Sequence, residues 1–277
     1  REQLISHQGA ENVFSEELRP IRAFVTPAGE KLLDFGQEIT GIVSIRTRAA
    51  RGTKIHITCA EMLDAAGNFY NENYRSAKSE MIYICSGKEE CWQPELSFYG
   101  FRYLKVEGLD TLDVEDFRAK VVCSDMRRIG RLNSGIGKLN RLFDNVVWGQ
   151  KGNFVDVPTD CPQRDERLGW TGDAQVFINT ACYQFDTKKF YTKWLEDMKA
   201  NQRESGAIPM VVPDVLETNG QDIKASTAWA DAATVCPWQL YRHFGDLGLL
   251  RSHFDMMKRW VGYMTDRTTT PDLWIGY

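Results

Sequence analysis

From residue 1 to about residue 125, apolar and polar positions alternate in short runs broken by turn signals. Residues 41–48 (GIVSIRTR) and 53–58 (TKIHIT) place apolar and polar side chains on opposite faces, the period of a half-buried strand. Residues 65–68 (AAGN) and 87–90 (GKEE) supply turns, and the alternation resumes at 81–85, 98–106 and 117–122. Many short strands at such intervals predict an antiparallel β-sandwich over residues 1–125. His56, between Ile55 and Ile57, falls on the solvent face of its strand.

From Ser134 the period lengthens. Ile136, Leu139, Leu142, Phe143, Val146 and Val147 share one helical stripe, with Ser134 placed to N-cap it. Helical patterns recur at 174–185, 187–202, 226–244 and 247–265, each closed by Gly, Pro or polar residues, and no strand pattern lies among them. An all-α domain of antiparallel helix pairs is predicted for residues 126–277, with the boundary inside 123–131. Trp194, Trp238 and Trp260 take core-like positions in it, while His243 and His253 read as surface or edge residues.

A chain of 277 residues can fill two cores, and 43% hydrophobic content is ordinary for a folded domain. No apolar run approaches the roughly 18 residues of a membrane span. A net charge of -4, with arginines scattered among acids, excludes the basic field that nucleic acid binding requires. The seven cysteines contain no CxxC and the four histidines no metal-ligand spacing, so free, mostly buried thiols and no metal are expected. No glycine-rich phosphate loop follows a strand and no EF-hand spacing occurs, so no cofactor is expected. The chain starts at Arg1 without a signal-like segment and stops at Tyr277 in an aromatic-rich run, which reads as part of a longer polypeptide of undetermined location and oligomeric state.

The most distinctive chemistry lies in residues 159–175, TDCPQRDERLGWTGDAQ. Pro158 and Pro162 keep the backbone extended ahead of Arg164, which puts Asp160 on a connection between helices. Asp173 suits either the N-cap of the following helix or a ligand contact. Crowded carboxylates raise the proton affinity of at least one of their number, and a protonated carboxyl is what a glycosidase uses on its leaving group. Sugar hydroxyls want carboxylate and guanidinium partners, and the sugar's apolar face wants an indole. Asp160, Arg164, Asp165, Glu166, Trp170 and Asp173 offer all three within a few turns of chain. On residue types alone, a carbohydrate site, a structural ion-pair loop and other chemistry all remain open. The loop acids Glu204, Asp214, Glu217 and Asp222 read as solvated surface.

DCPQRDERLGWTGDAQ closely resembles the signature of the bacterial α-L-rhamnosidases, glycoside hydrolase family 78. LLDFGQEITGIV (32–43) and FYGFRYLKVEG (98–108) resemble the β-sandwich that precedes the catalytic domain in that family, and STAWADAATVCPWQLYRHFGD (226–246) resembles later helices. The resemblance implies an N-terminal β-sandwich followed by the first part of an (α/α)6 barrel. It also implies inverting hydrolysis of terminal α-L-rhamnosyl groups on a rhamnose-containing glycoside or polysaccharide. Glu166 matches the general acid. Asp160, Arg164, Asp165 and Asp173 match residues that hold rhamnose hydroxyls or support the acid, and Trp170 matches a pocket aromatic. Trp229 corresponds to a second pocket tryptophan, with Asp231 a weaker companion that also suits a helix end. The second carboxylate, which activates water, is implied to lie beyond Tyr277, so the 277 residues alone are expected to be inactive. A sugar-binding protein without turnover, and an (α/α)6 glycosidase for another sugar, are the alternatives.

Overall fold

The computed structural model describes residues 6–216 and 225–268. Its first half is β1 (Asn12–Leu18), β2 (Arg22–Val25), β3 (Lys31–Thr47), β4 (Lys54–Ala60), β5 (Met62–Leu63), β6 (Phe69–Tyr70), β7 (Glu80–Ile84), β8 (Glu90–Trp92), β9 (Tyr99–Glu107) and β10 (Phe117–Ser124). Eight of these form one antiparallel sheet in the order β1-β10-β3-β9-β4-β7, with β2 and β8 also paired to β3. The predicted sandwich is thus a single sheet curled over its own core. Strand β3 makes the curl possible. It is 17 residues long and pairs with β2 and β9 near its start and with β10 and β8 near its end. Its register with β9 shifts between Asp34 and Ile39, where the strand turns from one layer to the other. Phe35, Ile39, Val43, Ile57, Phe101 and Phe117 fill the core, the inward face that alternation marks. His56 stands on the opposite face, where its ring nitrogens lie 2.7 Å from Glu80 and 3.2 Å from Glu107.

The second half is α1 (Gly137–Asn153), the two-residue strands β11 (Phe154–Val155) and β12 (Val157–Pro158), α2 (Thr171–Gln184), α3 (Lys188–Asn201), α4 (Ala232–Phe244) and α5 (Leu247–Thr265). The small β11–β12 hairpin was not visible as a strand pattern because it is a bend around Asp156, which sits at φ 68°. Helix α4 packs against α2, α3 and α5 around a second core that includes Phe190, Tyr191, Trp194, Met198 and Trp260.

Several expectations change at this scale. Ser134 does not cap α1: Ile136 holds that position, and Ser134 instead bonds the Asn140 side chain and the Ile136 N–H, closing a turn before the helix. Helix α4 starts at Ala232 rather than Ser226, because Ala228 at φ 67° breaks the helical path. Trp238 is 48% exposed and lies against Tyr241 instead of in the core. His253 is fully buried, for it shares the inward stripe of α5 with Leu249, Met256, Trp260 and Tyr263. Asp214 is likewise no solvated acid, being ion-paired to Arg203 and nearly buried. Glu204 is exposed, and Glu217 and Asp222 lie outside the described residues. Six of the seven free cysteines are buried and Cys91 is exposed.

Candidate active site

Residues 159–170 run from the β12 strand to α2 as an extended loop lying across the end of β9. Gly100 of β9 allows the approach: a Cβ there would stand 2.8 Å from Gln163 Cβ and 3.0 Å from the Pro162 carbonyl carbon. From the other side, Val212 N–H donates to Gly169 O at 2.9 Å and Thr171 N–H to Met210 O at 2.8 Å. Held on both flanks, the loop turns Asp160, Arg164 and Glu166 inward on one another.

Arg164 is the centre. Its guanidinium donates to Asp160 Oδ2 at 3.2 Å and to Glu166 Oε2 at 2.9–3.0 Å. Asp160 also accepts the Leu168 N–H at 2.9 Å, and its side chain is only 6% exposed. Glu166 accepts the Trp170 indole N–H on Oε1 at 3.0 Å. Asp160, Arg164, Glu166 and Trp170 therefore form one hydrogen-bonded group. Asp160, Cys161 and Glu166 bring ligand atoms within 4.8 Å of one another. Arg164 already supplies positive charge between the two carboxylates, and burial with the neighbouring Asp160 pushes the Cys161 thiol up to about 11, so the trio is a poor cation site.

The sequence suits Asp173 to an N-cap or a ligand contact. Trp170 is the residue at the N-cap and Asp173 stands in the first turn of α2. Its proton affinity is raised, first by desolvation and then by the negative charges of Asp160 and Glu166, with Arg164 acting the other way. The crowding expected from the sequence thus acts on Asp173. Asp173, Asp160 and Trp229 share the lining of a cleft of about 650 Å³ between α1 and α2. The Trp229 ring reaches this cleft by lying over Gly172, whose absent Cβ would stand 3.0 Å from the indole. Glu166 lies beside that cleft and faces two smaller ones of about 260 and 210 Å³.

Two sequence candidates point elsewhere. Asp165 turns to the β half, accepting a hydrogen bond from Ser76 and lying 3.9 Å from Arg75, and these partners hold its carboxyl below its ordinary range. Asp231 is a helix-end residue: its carboxylate accepts the Ala228 N–H at 2.8 Å and the buried Trp260 indole N–H at 3.0 Å. Conversely, Arg75 donates to Glu166 Oε2 at 3.0 Å, and Gln163 donates to Glu61 at 3.0 Å. Nothing in the local sequence around Arg75 marks it, since the contact spans 91 residues of chain.

A family model described as the bacterial α-L-rhamnosidase six-hairpin glycosidase domain matches residues 127–277, and one described as the concanavalin-like domain of the same proteins matches residues 25–123. The chain belongs to the bacterial α-L-rhamnosidase family. An α-L-rhamnosidase of Formosa agariphila is 41% identical over 246 residues, 87% of this chain and 26% of that protein. One from an Alteromonas species is 38% identical over 90% of this chain and 27% of its own length. The solved Streptomyces avermitilis α-L-rhamnosidase, complexed with L-rhamnose, superposes with a TM-score of 0.91 at 33% identity over 96% of this chain and 26% of that one. The chain thus spans about a quarter of the length of the rhamnosidases it matches. A β domain followed by the first helices of a six-hairpin glycosidase domain is the fold these relatives share with it.

Proposed function

We propose that this site cleaves terminal α-L-rhamnosyl groups with inversion, with Glu166 as the general acid. The observation that carries the reading is the group made by Asp160, Arg164, Glu166 and Trp170 beside the cleft lined by Asp160, Asp173 and Trp229. A sugar ring in that cleft would offer its hydroxyls to Asp160 and Asp173 and its apolar face to the Trp229 indole, with Arg164 and Trp170 set behind them to hold Glu166. Protonated Glu166 would give its proton to the glycosidic oxygen as the C–O bond breaks. A second carboxylate, about 6.5–9.5 Å away, would take a proton from the water that attacks the opposite face. Arg164 and the indole N–H fix the direction in which the Glu166 carboxylate points, which a proton transfer of this kind requires. Asp165 takes a supporting role, tying the loop to Ser76. The division of labour we assign is a β domain over residues 1–125 that backs the loop, and a helical domain over 126–277 that bears it.

The test is a panel of p-nitrophenyl glycosides offered to the longest natural polypeptide containing this sequence, with proton NMR of the sugar released. Cleavage of the α-L-rhamnoside alone, giving first the anomer opposite to the substrate's, is expected. Cleavage of a different glycoside would reassign the sugar. Tight rhamnose binding with no cleavage would leave a sugar-binding protein.

A further inference from the structure

The β half carries a short helical turn, Glu72–Tyr74, whose next residue stands in an unusual backbone conformation. Arg75 has φ 57° and ψ −120°, and Ala77 N–H donates to Tyr74 O at 3.1 Å across it. That is the first central position of a type II′ turn, where glycine is favoured and a side chain is strained. The turn is pinned in place: Tyr74 is 1% exposed and its hydroxyl donates to Gly100 O at 2.7 Å. What the strained position delivers is a guanidinium aimed at the acid loop. Arg75 Nη1 donates to Glu166 Oε2 at 3.0 Å, its neighbour Ser76 donates to Asp165, and Ser79 Oγ donates to Gln163 O at 3.2 Å.

We propose that Arg75 is a positioning residue for the general acid, supplied by the β half, which orients the Glu166 carboxylate. This rests on the assignment of Glu166 made above. Oε2 is gripped from both sides, by Arg75 and by Arg164, while Oε1 is held by the Trp170 indole. Loss of Arg75 therefore frees one side of the carboxylate and removes one positive charge beside it. Other charged or titratable groups around Glu166 are Arg164, Asp160 and Cys161 of its own loop, Asp165, Arg167 and Lys78 on the small cleft, and Asp173 at the start of α2. Of these, Asp165 is also held by Arg75, at 3.9 Å, and has the Ser76 hydroxyl as a second partner. The Arg75 side chain is 54% exposed, so its charge acts through partial solvent screening.

The consequences differ from those of a merely structural residue. A poor leaving group needs an aligned acid to depart and a good one does not, so a misaligned acid shows as a dependence on the leaving group. Arg75→Gly, which also removes the backbone strain, should keep or raise the thermal midpoint. In the longest natural polypeptide it should leave KM little changed. It should also lower kcat/KM about tenfold for an alkyl rhamnoside and less for the p-nitrophenyl one, because a poor leaving group depends more on an aligned acid. Arg75→Lys should restore most of the loss. If Arg75→Gly keeps its rate on the alkyl rhamnoside, or loses activity equally on both leaving groups, while Glu166→Gln is inactive, the role given to Arg75 is wrong and that of Glu166 stands. If Glu166→Gln keeps its rate, the assignment of the acid itself falls.

Discussion

Asp173 lines the cleft at a cost to stability. Desolvation and two neighbouring carboxylates raise its proton affinity, so the folded chain binds that proton more readily than the unfolded chain does. Stability contributed here therefore drops as pH rises through the ordinary carboxylate range to the raised folded value, and stays lower above it. Asp173→Asn should be slightly more stable at neutral pH, by less than about 1 kcal/mol given the exposure of the residue, with no gain in strong acid. Rhamnoside hydrolysis should nevertheless fall, since Asp173 lines the cleft beside Asp160 and Trp229. Thermal unfolding at pH 3 and pH 7, run with kinetics on the same protein, checks both parts. Perturbed carboxylates that cost stability are a recurrent mark of functional sites.

At the scale of elements, what the sequence made legible was whatever depends on local period. The alternation in 41–48 and 53–58 became β3 and β4, and the stripe beginning at Ile136 became α1. The acid loop announced itself through its residue types, and Asp160, Arg164, Glu166 and Trp170 do meet in space. What stayed hidden depends on contacts distant in sequence. His253 looked polar enough for the surface, yet its stripe faces the core, where Nδ1 finds Leu249 O at 2.9 Å. Arg75 and Ser76 carry no local signal for a loop some 90 residues away. The close seating of that loop on β9 yields its own prediction. Gly100→Ala would push a Cβ to within 3.0 Å of Gln163 and Pro162, and neither backbone nor Cβ can yield without moving the loop. Such overpacking costs about 1–3 kcal/mol. The expected outcome is a lowered melting temperature together with a kcat loss larger than the change in KM.

Across the whole molecule, the two halves meet in a polar seam beneath the acid loop. Glu61 accepts hydrogen bonds from Asn73 at 2.9 Å and Gln163 at 3.0 Å, while Glu38 lies within the field of Glu61 and Thr40 Oγ1 donates to Gly152 O at 2.8 Å. Burial, with the Glu61 charge adding to it, pushes the Glu38 carboxyl up to about 7. The folded state thus holds a proton that the unfolded chain releases near 4.5, so stability declines between about pH 4.5 and 7 and levels off above. Glu38→Gln should abolish that decline, with a gain on the order of 3 kcal/mol at pH 8 and almost none at pH 4. Denaturant midpoints across this range would show it as two curves that converge in acid. A seam of this kind makes the β half a working part of the site, since the loop that bears Glu166 rests on it. The most direct test of the account is kcat/KM for an α-L-rhamnoside in the longest natural polypeptide, comparing the unaltered protein with Glu166→Gln. A fall of at least about 10²-fold with an unchanged melting temperature is predicted. A variant that keeps its rate to within about threefold, well short of the 10²-fold a positioned acid supplies, would contradict it and place the proton donor elsewhere.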